Sequence, residues 1–286
     1  MEYHVDGEVV PASEATVSVA DRGFAYGDAL FETVRVYGGE PFAWDAHVER
    51  LERGYDRLAL DGPSGPELRS RIAETLAANG FREAAVRLSV TRGVSERGLT
   101  PDPEADPTVV IRVSGLERGG VAGESGAAPS RLQTAKTRRP ADRALPSDAK
   151  THNYLPSVLA RAETRVSDAD EALMLDAAGN VACAAAANVW FVADDAVRTP
   201  SLDGPVLPGV TRQVVAEEAE AEGIPVEPGA YAPDAIRDAQ EAFLTSSIGE
   251  VRPVETLDGV SVGGGPVTRL LARRYDERVE AACYEE

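Results

Sequence analysis

The sequence predicts an α/β (α+β) protein built from two mixed α/β domains. Short runs with strand-like alternation predict the sheets, and intervening segments with apolar residues spaced three and four apart predict the helices. A Gly-, Ala- and Ser-rich stretch, GGVAGESGAAPS, divides the 286 residues nearly in half. The expected organisation is an N-terminal domain over 1–116, a linker over 117–130 and a C-terminal domain over 131–286. The cleft between the domains is the default place for a small-molecule site.

Residues 1–12 read as a hairpin, with Tyr3, Val5, Val9 and Val10 around an Asp6-Gly7 turn. A strand follows from Leu30 to Tyr37 and ends at Gly38-Gly39. Val48, Leu51, Tyr55 and Leu58 mark an amphipathic helix over 45–60, and Pro63 and Gly65 separate it from a second helix over 67–79. Strands are expected over 85–91 and 108–113. After the linker come a strand (132–136), a helix (153–165) and a strand (171–176). A turn at 177–180 leads into one long strand over 181–192. Leu207-Pro208-Gly209 opens a helix, strands follow near 242–245 and 252–254, and a last helix runs from Pro266 to Cys283.

The net charge of −19 argues against nucleic acid as a partner, since phosphate binding draws on basic residues. No apolar run reaches the roughly 20 residues of a membrane helix, and the N-terminus lacks the pattern of a signal peptide, so a cytoplasmic protein is expected. Cys183 and Cys283, the only cysteines, suggest neither a disulfide framework nor a metal cluster. Of 29 basic residues only Lys136 and Lys150 are lysine, against 48 carboxylates. Such a surface suits concentrated salt, where charges are screened within roughly 3 Å at 1 M. A halophilic protein is one reading, and an arginine-biased codon composition is the other.

Against this background Lys150, in SDAKTHNYL, stands out as a reactive amine at the start of a helix. A lysine in a dry cleft loses charge stabilisation, and its neutral form attacks an aldehyde. The alternatives are a solvated lysine at a helix start, or Lys136 beside Arg138 and Arg139 as the reactive group. An aldehyde cofactor bearing a phosphate would need N–H groups at a helix start, hydroxyls and a guanidinium. Gly209-Val210-Thr211, Thr245-Ser246-Ser247 and Arg50 offer them. Taken singly they read equally as a helix cap, a turn and a surface charge.

The order of the motifs is more specific. Asp21-Arg22-Gly23-Phe24, Tyr26-Gly27-Asp28, Phe31-Glu32-Thr33 with Arg35, and His47-x-x-Arg50-Leu51 come first. Thr91-Arg92-Gly93, Lys150 with Asn153-Tyr154-Leu155, Glu171-Ala172-Leu173, Leu207 to Arg212 and Gly265-Pro266-Val267-Thr268 follow. Over essentially the whole chain this series resembles the fold type IV pyridoxal-phosphate enzymes, the class IV aminotransferase group. That group includes branched-chain aminotransferases, D-amino-acid aminotransferases and 4-amino-4-deoxychorismate lyases. The resemblance implies pyridoxal 5'-phosphate as cofactor, bound covalently by Lys150, which also acts as general acid and base. It implies phosphate contacts from Arg50, Val210, Thr211 and Ser247, further cofactor contacts from Tyr154 and Asn188, and substrate contacts from Tyr26, Thr33 and Arg97. It also implies a homodimer acting on a small amino substrate.

One position departs from the pattern. Cys183 stands where the family's strand motif has a glutamate, the carboxylate that keeps the cofactor's pyridine nitrogen protonated. A weakened electron sink serving an easier reaction, a substitute acid and a non-catalytic relative are the three readings, in that order. Aminodeoxychorismate lyase suits the first, because aromatisation helps expel pyruvate. The loop from Arg92 to Leu99 also resembles the lyases more than the Arg-x-His carboxylate trap of the D-amino-acid enzymes, with Leu99 in the histidine's place. Lys150-Thr-His-Asn-Tyr-Leu and Gly-Pro-Val-Thr resemble branched-chain aminotransferases, which are the alternative. The lyase is the favoured expectation.

Overall fold

The N-terminal hairpin pairs β1 (Glu2–Val5) with β2 (Glu8–Pro11) as its Asp-Gly turn predicts. A short helix α1 (Arg22–Tyr26) precedes β3 (Ala29–Tyr37) and β4 (Glu40–Pro41), then α2 (Trp44–Leu58), α3 (Gly65–Asn79), β5 (Ala84–Thr91) and β6 (Val109–Gly115). In this computed structural model, which describes residues 1–95, 98–118 and 128–284, the six strands form an antiparallel sheet in the order β2-β1-β6-β5-β3-β4.

Alternation along β3 sorts its two faces. Leu30, Val34 and Val36 join Val86, Leu88, Val90 and Ile111 in a core covered by Leu51 of α2 and Leu68, Ile72 and Leu76 of α3. Phe31, Thr33 and Arg35 fall on the opposite face, where β5 contributes Ser89 and Arg87 as the cross-strand partners of Phe31 and Thr33.

The remaining strands are β7 (Ser130–Thr134), β8 (Glu171–Leu175), β9 (Val181–Ala184), β10 (Asn188–Ala193), β11 (Ala196–Pro200), β12 (Val226–Gly229), β13 (Glu241–Ser246), β14 (Glu250–Leu257) and β15 (Val260–Ser261). The helices among and after them are α4 (Leu155–Thr164), α5 (Val210–Ala221), α6 (Pro233–Arg237) and α7 (Pro266–Cys283). The second sheet is mixed and runs β12-β11-β10-β13-β14-β7-β8-β9, with β15 on β14. One face packs Leu132, Leu173, Val189, Phe191, Leu244 and Val254 against Ile236 of α6. Met174 and Cys183 belong to a separate cluster with Ala160 of α4.

The chain forms two units. The first contains the described residues of 1–118, Ala149–Asn153 and the described residues after 280; the second contains the described residues of 119–148 together with 154–280. The expected linker falls largely on 119–127, outside the described residues.

Three expectations change. The segment bearing Lys150 belongs to the first unit, because the Lys150 carbonyl accepts the Phe31 N–H at 2.9 Å and the His152 N–H donates to the Ala29 carbonyl at 2.9 Å. For the same reason Lys150 lies outside any helix, in a tight turn closed by the Thr151 N–H on the Ala149 carbonyl at 3.1 Å, with Thr151 bridging Leu30, and α4 starts only at Leu155. The long strand expected over 181–192 is two strands, since Ala184 donates to the Ala187 carbonyl at 2.9 Å and closes a tight turn of alanines.

Candidate active site

The motif around residues 21–28 is tied to the motif around 91–93 by a buried polar network. Asp21 caps α1 through the Gly23 N–H at 2.7 Å and accepts the Thr91 hydroxyl at 2.7 Å. Asp28 receives the Nε groups of both Arg22 and Arg92, each at 2.8 Å. Burial pushes the Asp28 carboxyl upward, but the two guanidinium groups outweigh it and hold it below its ordinary value. Arg92 also donates to the carbonyls of Leu58 and Ala59, at 2.6 and 2.8 Å, at the C-terminal end of α2. Gly27 ends α1 at φ +69, a conformation suited to glycine, and its carbonyl accepts the Asn153 amide at 3.0 Å. The strand order thus anchors the lysine segment to α1 and β3 at once.

On the polar face of β3 and β5 the Lys150 Nζ lies 4.5 Å from the centroid of the Phe31 ring. The Arg87 guanidinium carbon lies 3.8 Å from the same centroid, and the His152 ring packs edge-on at 5.7 Å. Burial, followed by the Arg87 charge, lowers the His152 pKa to about 4, so its imidazole is neutral at neutral pH. Lys136, by contrast, is exposed, past the end of β7, in a bend whose backbone bonds the Glu163 carboxylate. Thr33 is half-buried beside Arg87, and Tyr26 ends α1 with the Arg22 guanidinium 5.1 Å from its ring centroid. Arg97 lies outside the described residues.

Behind this face, Glu32 points to the helix side of β3. Its carboxylate accepts Arg50 Nε at 2.9 Å and Nη2 at 2.5 Å, and bonds His47 Nδ1 at 2.7 Å. Burial alone would raise the Glu32 pKa; Arg50 and His47 reverse that and hold it at about 2. His47 is itself lowered, chiefly by burial and partly offset by Glu32, with Arg50 and Lys150 adding to the fall.

In the second unit, Asn188 begins β10 opposite Thr245 of β13, and its amide donates to the Leu207 carbonyl at 3.0 Å. A Cβ built on Gly209 would lie 2.0 Å from the Asn188 Oδ1, so only glycine lets the chain enter α5 this close to Asn188. Gly209 caps α5 without any side-chain hydrogen bond, and Val210 and Thr211 are buried in its first turn. The Thr245 hydroxyl accepts Trp190 Nε1 at 3.0 Å, and the Ser246 hydroxyl accepts the Gly249 N–H at 3.0 Å. Ser247 has no such bond among the described residues. The first-turn N–H groups of α5 behind a glycine cap, and the Ser247 hydroxyl, are donors of the kind that the phosphate of pyridoxal phosphate requires. Tyr154 immediately precedes α4, its carbonyl accepting the Val158 N–H at 3.0 Å. Cys183 is buried on β9 opposite Met174.

A family model for amino-transferase class IV matches residues 29–257. The chain belongs to the class IV aminotransferases. These are pyridoxal-phosphate enzymes, and the residues described above suit that cofactor. The chain is 34% identical to a putative branched-chain-amino-acid aminotransferase of Methanocaldococcus jannaschii over 97% of this chain and 96% of that protein. It is 33% identical to D-alanine aminotransferase of Listeria monocytogenes over 100% and 98%, and 30% identical to aminodeoxychorismate lyase of Bacillus subtilis over 99% and 96%. Among solved structures, a branched-chain aminotransferase from Thermoproteus uzoniensis superimposes with a TM-score of 0.90 at 29% identity, covering 100% of this chain and 96% of that one.

Sequence reasoning missed Arg87, His152 and the role of Glu32. Arg87 has a signal in hindsight: it is the one charged residue of β5, two positions from Ser89 on the same face.

Proposed function

We propose that this class IV enzyme is a 4-amino-4-deoxychorismate lyase, expelling pyruvate and leaving 4-aminobenzoate. The observation that carries the reading is Cys183, a thiol in the glutamate's place, buried in a cluster with Ala135, Ala160, Ala172, Met174, Ala182, Ala185 and Val206. Pyridoxal phosphate, when bound, supplies an aldehyde for a lysine amine and a ring that draws electrons from the bond being broken. A thiol brings no carboxylate charge to the ring nitrogen, so withdrawal is weaker. An elimination helped by aromatisation tolerates this better than transamination does.

In this reading Lys150 would hold the cofactor through its amine and would move the proton at the reacting carbon, with the Phe31 ring, 4.5 Å from Nζ, fixing the approach of that amine. Arg87, sharing that ring, meets a substrate carboxylate, with Thr33, Tyr26 and Arg97 as further substrate contacts. The Val210 and Thr211 N–H groups, Ser247 and Asn188 hold the phosphate end, Arg50 adds a guanidinium, and Tyr154 meets the ring's phenolic oxygen. The protein works as a homodimer: Val17, Val19 and Phe24 of the first unit and the stripe Leu155, Val158 and Leu159 on α4 are exposed apolar surface that a second copy covers.

The second reading, a branched-chain aminotransferase, is favoured by the similarity to the Methanocaldococcus jannaschii and Thermoproteus uzoniensis proteins. The deciding assay compares pyruvate release from aminodeoxychorismate with glutamate formation from leucine and 2-oxoglutarate. Pyruvate release is expected; glutamate formation alone overturns the lyase in favour of the transferase.

A further inference from the structure

Carboxylates outnumber basic residues 48 to 29, and the enclosed arginines are paired accordingly. Arg22 and Arg92 share Asp28, and Arg50 holds Glu32. Arg35 donates to the carbonyls of Ala84, Leu116 and Glu117 and lies 3.8 Å from Glu83. Arg212, in the first turn of α5, is different. Among the described residues its Nε is enclosed without a hydrogen-bond partner, and Nη2 donates to the Pro200 carbonyl at 3.3 Å. Its guanidinium carbon lies 5.5 Å from the centroid of the Trp190 ring, which is itself fixed by stacking on Phe243 and by its bond to Thr245. Burial lowers its pKa and no neighbouring carboxylate opposes the fall.

The position compounds the cost. The N-terminal turn of a helix carries partial positive charge and repels a cation placed there, and an enclosed charge without a counter-charge is unfavourable. An anion at the same turn relieves both effects. The Cβ position of Gly209 lies 3.3 Å from Arg212 Cβ and 2.0 Å from Asn188 Oδ1, so Arg212 borders the turn that the proposed function gives to the phosphate. Resting on that reading, we propose that Arg212 is the charge partner of the cofactor's phosphate, without a carboxylate partner among the described residues and given a counter-charge when the phosphate is bound. It is a binding residue and moves no proton.

The test measures dissociation constants for pyridoxal phosphate and for pyridoxal, which lacks the phosphate, at one fixed salt concentration, with the melting midpoint of the cofactor-free protein. Arg212→Gln is expected to weaken pyridoxal phosphate by roughly 10- to 100-fold, as loss of a charge-assisted contact does, and to change pyridoxal by less than about twofold. The cofactor-free variant should melt no lower than the parent, because an unpaired charge has been removed. Arg212→Lys, which keeps the charge, should retain part of the affinity. Equal losses for both ligands, unchanged affinity, or a lower midpoint in the cofactor-free Arg212→Gln protein would each overturn the inference. Where Thr211→Val or Asn188→Ala weakens pyridoxal phosphate and Arg212→Gln does not, the phosphate cup stands and Arg212 alone is misassigned. A parent protein that binds no pyridoxal phosphate removes the underlying reading.

Discussion

Glu32 is 1% exposed and keeps its charge only because Arg50 and His47 surround it. Truncating it in Glu32→Ala leaves the Arg50 cation enclosed without its partner and should cost about 3–5 kcal/mol, read by denaturant unfolding. A loss below about 1 kcal/mol would show that water or rearrangement replaces the carboxylate. The sequence singled out His47 and Arg50 but gave Glu32 no role. Its position was readable: with Leu30, Val34 and Val36 it lies on the core face of β3, where a carboxylate must find partners. Cys183 was legible by its departure from the motif. Cys183→Glu should raise glutamate formation from leucine roughly tenfold, equivalent to about 1.4 kcal/mol of barrier. An unchanged rate would remove the electron-sink argument.

Elements with a strong period were legible at near-final boundaries: β3, α2, α3 and α7 follow alternation or three-and-four spacing. Others were hidden for identifiable reasons. The division of β9 from β10 falls in a run of alanines, which carry no period and no turn signature, and rests on one backbone bond across Ala184 and Ala187. The Lys150 segment reads as a helix start, yet α4 begins only at Leu155; its pairing with β3 is a long-range contact that no local pattern encodes. The α5 entry is the element on which the phosphate reading depends. Gly209→Ala places a methyl against Asn188 and should destabilise by about 1–3 kcal/mol. Asn188→Ala in the same chain should recover part of that loss, so the double variant is less damaged than the sum of the singles. Strict additivity in thermal melts would show that the two residues do not meet at this turn.

For the whole molecule, charge sets the response to solvent. All three histidines, His4, His47 and His152, have lowered pKa values, with burial the largest cause in each. His4 is enclosed with neither ring nitrogen bonded among the described residues. The unfolded chain takes up these protons near pH 6.5 and the native chain only at lower pH, so stability is full above pH 6.5 and falls as pH drops toward 4, the value for His152. Glu32 extends the loss from about 4.5 down to about 2, while Glu171, raised by burial, acts in the opposite direction. Unfolding midpoints at pH 7, 5.5 and 4 should fall in that order, and a flat profile would contradict the lowered histidine pKa values. A net charge of −19 likewise predicts that added potassium chloride raises the melting midpoint by several degrees through screening of self-repulsion. The scarcity of lysine also makes the central claim directly measurable. Borohydride reduction of the yellow holoprotein, followed by peptide mass mapping, has only Lys136, Lys150 and the N-terminal amine to distinguish. The phosphopyridoxyl mass should appear on the peptide containing Lys150; its appearance on Lys136, or on neither lysine, would contradict the assignment.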